Sequence, residues 1–254
     1  PAMMIWCARR RKVWRPVVSR HYEFVINGVK LIADVSGALY RPDKHMLIVA
    51  DLHFEKASAF AARGVALPPY DTAATLQRLS AAFDHFKPQA FVSLGDAFHD
   101  DDWPSRMTPA YRAELARLTG AVETVWVTGN HDPTPPIGLP GVAMEIFRNA
   151  NLVMRHEPMV RGAGFEAGEL AGHLHPCAKL RQRGRNLRRR CFVHDAARAI
   201  LPAFGALTGS LNVRDAAFDG LFDGPDYQAV MVGAARLAAI QPNRLLPDRA
   251  RGSR

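Results

Sequence analysis

Five short apolar runs set the pattern of the chain, and each stops at residues able to bind a cation. Met46–Ala50 runs into Asp51-Leu52-His53, Ala90–Leu94 into Gly95-Asp96, and Val122–Thr128 into Gly129-Asn130-His131-Asp132. Leu152–Arg155 ends at His156, and Glu169–Ala171 at Gly172-His173-Leu174-His175. Short apolar runs bounded in this way predict strands. In extended backbone, residues i and i+2 project to one side, so His173 and His175 are expected over the same sheet edge. Ligands of α/β sheets bind beyond the carboxyl ends of the strands, and the pattern predicts that these five ends converge.

The segments between the runs complete the outline. Tyr22–Ile26 and Val29–Ala33 flank Asn27-Gly28, the pair favoured in a tight hairpin turn. Ala38-Leu39-Tyr40 predicts another strand, turned by Arg41–Lys44 into the run before Asp51. After His53 the spacing of Ala57, Phe60 and Ala61 predicts a helix stopped by Gly64. A longer helix is expected with Asp71 or Thr72 as its cap and Leu76, Leu79, Ala82, Phe83 and Phe86 as its stripe, ending at Lys87-Pro88. Thr108 caps a third, with Pro109 at its first position and Leu115 and Leu118 inward, closing at Gly120. Strand and helix alternate here, which predicts a largely parallel α/β arrangement. Beyond His156 there is no long helical stripe. Short strands are expected at 192–193, 199–201, 211–213 and 227–232, as a second sheet packed on the first.

Charge and composition change this picture in three places. Lys and Arg number 33 against 24 Asp and Glu, a formal net charge of +9 that favours an anionic partner, nucleic acid first. The three cysteines Cys7, Cys177 and Cys191 are odd in number and have no CxxC spacing, which points to a reducing compartment. Met3–Ala8 is too short for a signal core and Arg9–Lys12 follows it, so the cytoplasm is the expected location, with no membrane association. Residues 1–20 are expected to be a basic extension, mobile or packed on the outside, 21–240 a single domain, and 241–254 a basic tail, disordered from Leu245.

The candidate ligands are Asp51, His53, Asp96, Asn130, His156, His173 and His175. Two carboxylates, an amide oxygen and four imidazoles suit borderline divalent ions such as Mn²⁺, Fe²⁺, Zn²⁺ and Co²⁺. Seven ligands exceed one tetrahedral site and suffice for two ions sharing a carboxylate, which could clamp a phosphate from both sides.

In order, D-x-H, G-D, G-N-H-D, H and G-H-x-H resemble the motifs of the calcineurin-like metallophosphoesterase superfamily. Ala50–Lys56, Gly95–Asp100, His156-Glu157-Pro158, Gly172–Pro176, Arg188–Phe192 and Leu201–Gly205 are similar to the bacterial ligase-associated DNA-damage-response endonucleases of that superfamily. The resemblance implies a four-layer α/β fold of two packed mixed sheets flanked by helices. It implies a binuclear enzyme that hydrolyses phosphodiesters by attack of a metal-held hydroxide. The substrate would be DNA and the setting DNA repair, with ligase and helicase partners. Two divalent ions are implied, Mn²⁺ first and Fe²⁺, Zn²⁺, Co²⁺ or Ni²⁺ as alternatives. Asp51, His53 and His175 would hold one ion, Asn130, His156 and His173 the other, and Asp96 would bridge. His131 would protonate the leaving oxygen and Asp132 would orient it, while Asn130 and His131 would also touch the phosphate. A phosphomonoesterase, a cyclic-nucleotide phosphodiesterase and a non-catalytic scaffold of the same fold are the alternatives.

His99, in the acidic loop 99–102, reads first as a solvated histidine and second as a substrate contact. Cys177 reads as a small core residue, and His21, His45, His85 and His194 carry no expected function. Arg181–Arg190 predicts a loop that contacts backbone phosphates, with Arg183, Arg185, Arg188 and Arg189 as the contacts, or else a solvated basic turn. No aromatic residues interleave with it, so base stacking is not expected. There is no G-x-S-x-G nucleophile motif.

Overall fold

The computed structural model describes residues 18–248 except 135, 163 and 225. Its strands are β1 (Val18–Ser19), β2 (His21–Ile26), β3 (Val29–Asp34), β4 (Leu39–Arg41), β5 (Met46–Val49), β6 (Ala90–Leu94), β7 (Glu123–Val127), β8 (Val142–Met144) and β9 (Ile146–Asn149). They continue with β10 (Leu152–Arg155), β11 (Glu169–Ala171), β12 (Pro176–Gln182), β13 (Arg185–His194), β14 (Arg198–Ile200), β15 (Leu211–Asn212), β16 (Gln228–Val232) and β17 (Leu237–Ile240). The helices are α1 (Lys56–Ala62), α2 (Asp71–Phe86), α3 (Trp103–Arg106) and α4 (Pro109–Gly120).

Two mixed sheets stack face to face. Strands β2 to β8 form one in sequence order, antiparallel as far as β5 and parallel from β5 to β8. The other runs β1-β17-β16-β13-β14-β11-β10-β9, with β12 paired to β13 and β15. The alternation of side chains along a strand explains the layering. On β5, Met46 and Ile48 enter the core between the sheets, while Leu47 and Val49 meet Leu76, Leu79 and Phe83 of α2. On β13 and β16, Phe192, Val230 and Val232 face that same central core. Cys191, Val193, Ala229 and Met231 face a third cluster closed by Ala178, Leu180 and Phe218. Strands apolar on both faces are what a doubly covered sheet requires.

The expected hairpin at Asn27-Gly28 and the Thr108 cap are present, the Thr108 hydroxyl accepting from the Tyr111 N–H at 3.3 Å. Two other expectations change. Neither Asp71 nor Thr72 caps α2, which starts after Tyr70 with Asp71 already in its first turn. Both side chains reach instead to the start of α1. Thr72 Oγ1 accepts from the Glu55 N–H and Asp71 Oδ2 from the Ala57 N–H, each at 2.9 Å. The acidic loop at 99–102 is present and leads into α3, whose Trp103 stacks on Phe98 with ring centroids 3.8 Å apart. Arg181–Arg190 is not a loop. It forms most of the β12–β13 hairpin, turned at Arg183-Gly184 where both residues have positive φ. The cross-strand pair Leu180 and Leu187 packs inward, which a solvated loop would not allow.

At the chain ends, Val18–Ser19 packs on the outside while the segment from Leu245 differs from expectation. Val18–Ser19 pairs with β17, so this part of the presumed extension is an edge strand. Leu245 is buried, the Leu246 N–H donates to the Lys179 carbonyl at 2.8 Å, and Asp248 lies 3.5 Å from Lys179 Nζ. The Leu245 side chain belongs to the third cluster, which docks this segment on β12. Residues 1–17, with Arg9–Lys12, and residues 249–254 lie outside the described residues. Among the described residues, no helix is long and apolar enough to cross a membrane.

Candidate metal centre

All five strand ends meet at one edge of the two-sheet stack. Asp51 and His53 follow β5, Asp96 follows β6, Asn130 to Asp132 follow β7, His156 follows β10, and His173 and His175 follow β11. Each of the two sheets therefore supplies part of the site. Backbone bonds tie the ends together. The His53 N–H donates to the Asp96 carbonyl at 2.9 Å, the Gly172 N–H to the His156 carbonyl at 3.0 Å, and the His173 N–H to both Asp51 carboxylate oxygens at 3.1 Å.

The donor atoms fall into two groups, Asp51, His53 and His175 in one, and Asp96, His156 and His173 in the other, each within 4.8 Å. His53 Nε2 and His175 Nε2 are 3.2 Å apart, and His173 Nδ1 and His156 Nε2 are 3.1 Å apart. Asn130 Oδ1 joins the second group, 3.0 Å from His156 Nε2. Asp96 Oδ2 lies between the groups, 3.7 Å from His53 Nε2 and 3.4 Å from His156 Nε2.

This donor set fits divalent cations. Imidazole lone pairs and carboxylate oxygens converge in a mostly buried space, an arrangement that favours positive charge. His156 shows the pull. Burial would lower it, yet the carboxylates of Asp96 and Asp51 raise it to about 9. Burial alone would raise the Asp96 carboxyl, but the His156 imidazole and the His131 backbone N–H hold it below the usual carboxylate range. His53, dominated by burial, falls to about 2 and is a neutral donor. The backbone bears the same mark. Asp51, His53, Asp96, His173 and His175 all have φ between +44° and +67°. Left-handed backbone in non-glycine residues is strained, and it collects at functional sites where the surrounding structure enforces it.

The motif glycines admit the ligands closely. A Cβ on Gly129 would lie 2.2 Å from Asp96 Oδ1 and 2.3 Å from the Asp96 backbone nitrogen, and one on Gly95 would lie 2.3 Å from His156 Nδ1. Gly129→Ala is expected to displace Asp96 or the 129–132 loop. Measured by denaturant unfolding and metal titration, it should lose about 1–3 kcal/mol of stability and weaken metal binding more than tenfold. Wild-type metal affinity in this variant would refute the close approach.

His131 and His99 stand beside the donor groups, their ring centroids 5.3 and 5.7 Å from that of His53. His131 Nδ1 is 3.0 Å from the His99 carbonyl. That oxygen can only accept, so Nδ1 carries the proton and Nε2 is left for exchange. The His131 ring stacks on the His99 ring with centroids 4.8 Å apart, and His99 stacks in turn on Phe60. His99 is therefore not a solvated loop histidine. It is 7% exposed, and burial lowers its pKa to about 4.

Asp132 does not reach the His131 ring as expected. Its oxygens accept from the Gly129 and Phe98 backbone N–H groups, each at 3.1 Å, which fixes the loop that carries Asn130 and His131. Burial raises the Asp132 carboxyl to about 7 against those bonds. The orienting partner of His131 is a backbone carbonyl, and the sequence carries no signal for such a contact.

The arginines of the hairpin are spread over its length. Arg183 and Arg185 stand at its far end. Seven residues of β12 at about 3.4 Å per residue place that end roughly 20 Å from Pro176. Arg188 donates to the Ser210 hydroxyl and carbonyl at 2.8 Å each, and Arg189 is exposed beside the third cluster. Cys177 is buried, as a core residue would be, and stands outside both donor groups.

Two packed mixed sheets with paired donor groups at their strand ends define a metallophosphoesterase fold. The chain belongs to the calcineurin-like phosphoesterase family, whose model matches residues 44–190. Among solved structures, it is similar to the Pseudomonas putida nuclease MPE, with 27% identity and a TM-score of 0.64 over 87% of this chain and 100% of that one. The E. coli phosphoesterase Yfce is a more distant match, with 13% identity and a TM-score of 0.37 over 77% of this chain and 98% of that one. No curated protein matches the chain by sequence.

Proposed function

We propose that the protein is a divalent-metal-dependent phosphodiesterase acting on DNA as an endonuclease, in the cytoplasm and in DNA repair. The observation that carries this reading is the placement of Asp96 Oδ2 between two donor groups, with the His131 ring beside that of His53. In this reading, Asp51, His53 and His175 hold one ion, Asn130, His156 and His173 the other, and Asp96 both. Such mixed oxygen and nitrogen donors suit borderline divalent ions, and the family resemblance makes Mn²⁺ the first choice among them. The bound ions would supply Lewis-acid polarisation of a phosphoryl oxygen and neutralise its charge. The nuclease relative and the net charge of +9 favour DNA as the substrate.

The chain's own part is orientation and proton transfer. With Nδ1–H tied to the His99 carbonyl, His131 in its imidazolium form presents Nε2–H as the donor to the leaving oxygen. Its removal should matter most for a poor leaving group. His131→Ala is expected to keep its metal and lose on the order of 10²–10⁴-fold in rate on DNA, with a smaller loss on a bis-aryl diester. Equal losses on both substrates would count against the acid role. The wider reading is tested by offering an aryl monoester, a bis-aryl diester and plasmid DNA side by side with Mn²⁺, Zn²⁺ and Mg²⁺. DNA and the diester should turn over with Mn²⁺, and a clear preference for the monoester would overturn the proposal.

A further inference from the structure

His175 borders a second pocket of about 230 Å³, walled by Arg78, Arg190, Thr208, Gly209 and Ser210. Its two guanidiniums are held in place. Arg190 donates to the Ala203 carbonyl at 3.1 Å and to the Ser36 carbonyl at 2.8 Å. It also packs against Gly37, where an added Cβ would come within 3.0 Å of Nη1. Arg78, on α2, lies with its guanidinium carbon 5.1 Å from the centre of the Phe204 ring. Burial lowers the pKa of both, Arg190 to about 10 with the charge of Arg78 adding to the effect, and no carboxylate among the described residues offsets either.

Two like charges facing one polar pocket, partly withdrawn from water, disfavour each other unless an anion joins them. A guanidinium fork matches phosphate oxygens in pairs. The pocket adjoins a candidate metal ligand, so a chain with its scissile phosphate at the donor groups would bring a neighbouring phosphate here. We propose that the Arg78–Arg190 pocket is a subsite for a non-scissile backbone phosphate of a polynucleotide substrate. This rests on the phosphodiesterase reading and deepens it, because it makes substrate choice depend on a second phosphate. It also moves phosphate recognition from the hairpin tip to a pocket beside the centre.

Arg78 is the group to change, since Arg190 also links backbone segments. A fluorescein-labelled oligothymidylate is titrated in EDTA over a potassium chloride series with wild type, Arg78→Gln and Arg78→Met. The Met variant keeps an apolar stem over Phe204 and guards against loss of fold. Both variants should bind about tenfold more weakly at low salt, with the salt slope flattened by about 0.7 for the one lost phosphate contact. With metal added, KM for the oligonucleotide should rise about tenfold while kcat/KM for bis-p-nitrophenyl phosphate stays within about twofold. If folded variants bind and cleave the oligonucleotide as wild type does, or wild type fails to bind it, the subsite is refuted. If binding depends on Arg78 but no phosphodiester is cleaved with any metal, the subsite stands and the phosphodiesterase reading falls.

Discussion

Asp96→Asn is expected to abolish turnover and to empty both metal positions while the protein stays folded. The amide can still accept from the His131 N–H, which Asp96 Oδ1 does at 2.9 Å, so the 129–132 loop keeps its anchor. The negative charge between the two donor groups is what disappears. Loss of several kcal/mol of transition-state charge stabilisation corresponds to a rate drop on the order of 10³-fold or more. Metal content by elemental analysis should fall for both ions together, because Asp96 Oδ2 approaches histidines of both groups. A variant that retained two equivalents of metal and normal turnover would show that the carboxylate does not join them.

Arg198→Ala is expected to cause the largest loss of stability, on the order of 3 kcal/mol, because it removes the nearer of two arginines facing the buried Glu169 carboxylate and leaves only Arg155 Nε, at 3.6 Å. Arg198 is 0% exposed, lies 3.2 Å from Glu169 Oε1, and stacks 4.3 Å from the centre of the Phe165 ring. Glu169 Oε2 accepts from the Met159 N–H at 3.2 Å, so this pair braces the segment after His156 against the strand that leads to His173. Burial already raises the Glu169 carboxyl, with Arg198 working against that rise. Without Arg198, the folded pKa climbs further above the unfolded one. The penalty of ionising Glu169 is then absent below the unfolded pKa and grows as pH rises toward the folded value. The deficit should therefore be larger at pH 8 than at pH 5 in urea unfolding. Glu169→Gln placed in the same chain should recover part of it and flatten the pH dependence. A pH-independent deficit that Glu169→Gln leaves untouched would rule out the Glu169 charge as its cause.

The strand ends were legible in the sequence because the signal there is doubled. An apolar run fixes a strand, and a ligand-type residue at its end fixes the chemistry, as at Val49 to His53 and at Leu94 to Asp96. What escaped the sequence depends on contacts between distant segments. Asp71 and Thr72 have the chemistry of helix caps, but the helix they cap is α1, some fifteen residues earlier. Asp132 adjoins the His131 imidazole in sequence, yet its oxygens accept from the backbone N–H groups of Gly129 and Phe98. His99 sits among three aspartates, which marks a wet loop locally, and is buried only because Phe60 and His131 close over it. Charge density also hid the alternation of the arginine run. Leu187 is the one apolar residue between Arg181 and Arg190, and it pairs across the hairpin with Leu180 to show which face turns inward.

The centre lies on a seam. Asp51, His53, Asp96 and Asn130 belong to one sheet, while His156, His173 and His175 belong to the other. What sets the spacing between those two groups is the layer of Ile48, Val92, Leu94, Met154 and Leu170 that separates the sheets. Interior residues are ordinarily answerable to stability and loop residues to activity. That division of labour fails here. A lost methyl group in the central layer lets one half of the site drift against the other, at a place where tolerances are about 0.5 Å. Selection on catalysis therefore reaches into the oily interior, and this layer should accept substitutions less freely than the equally buried cluster under α2, which merely holds a helix in place.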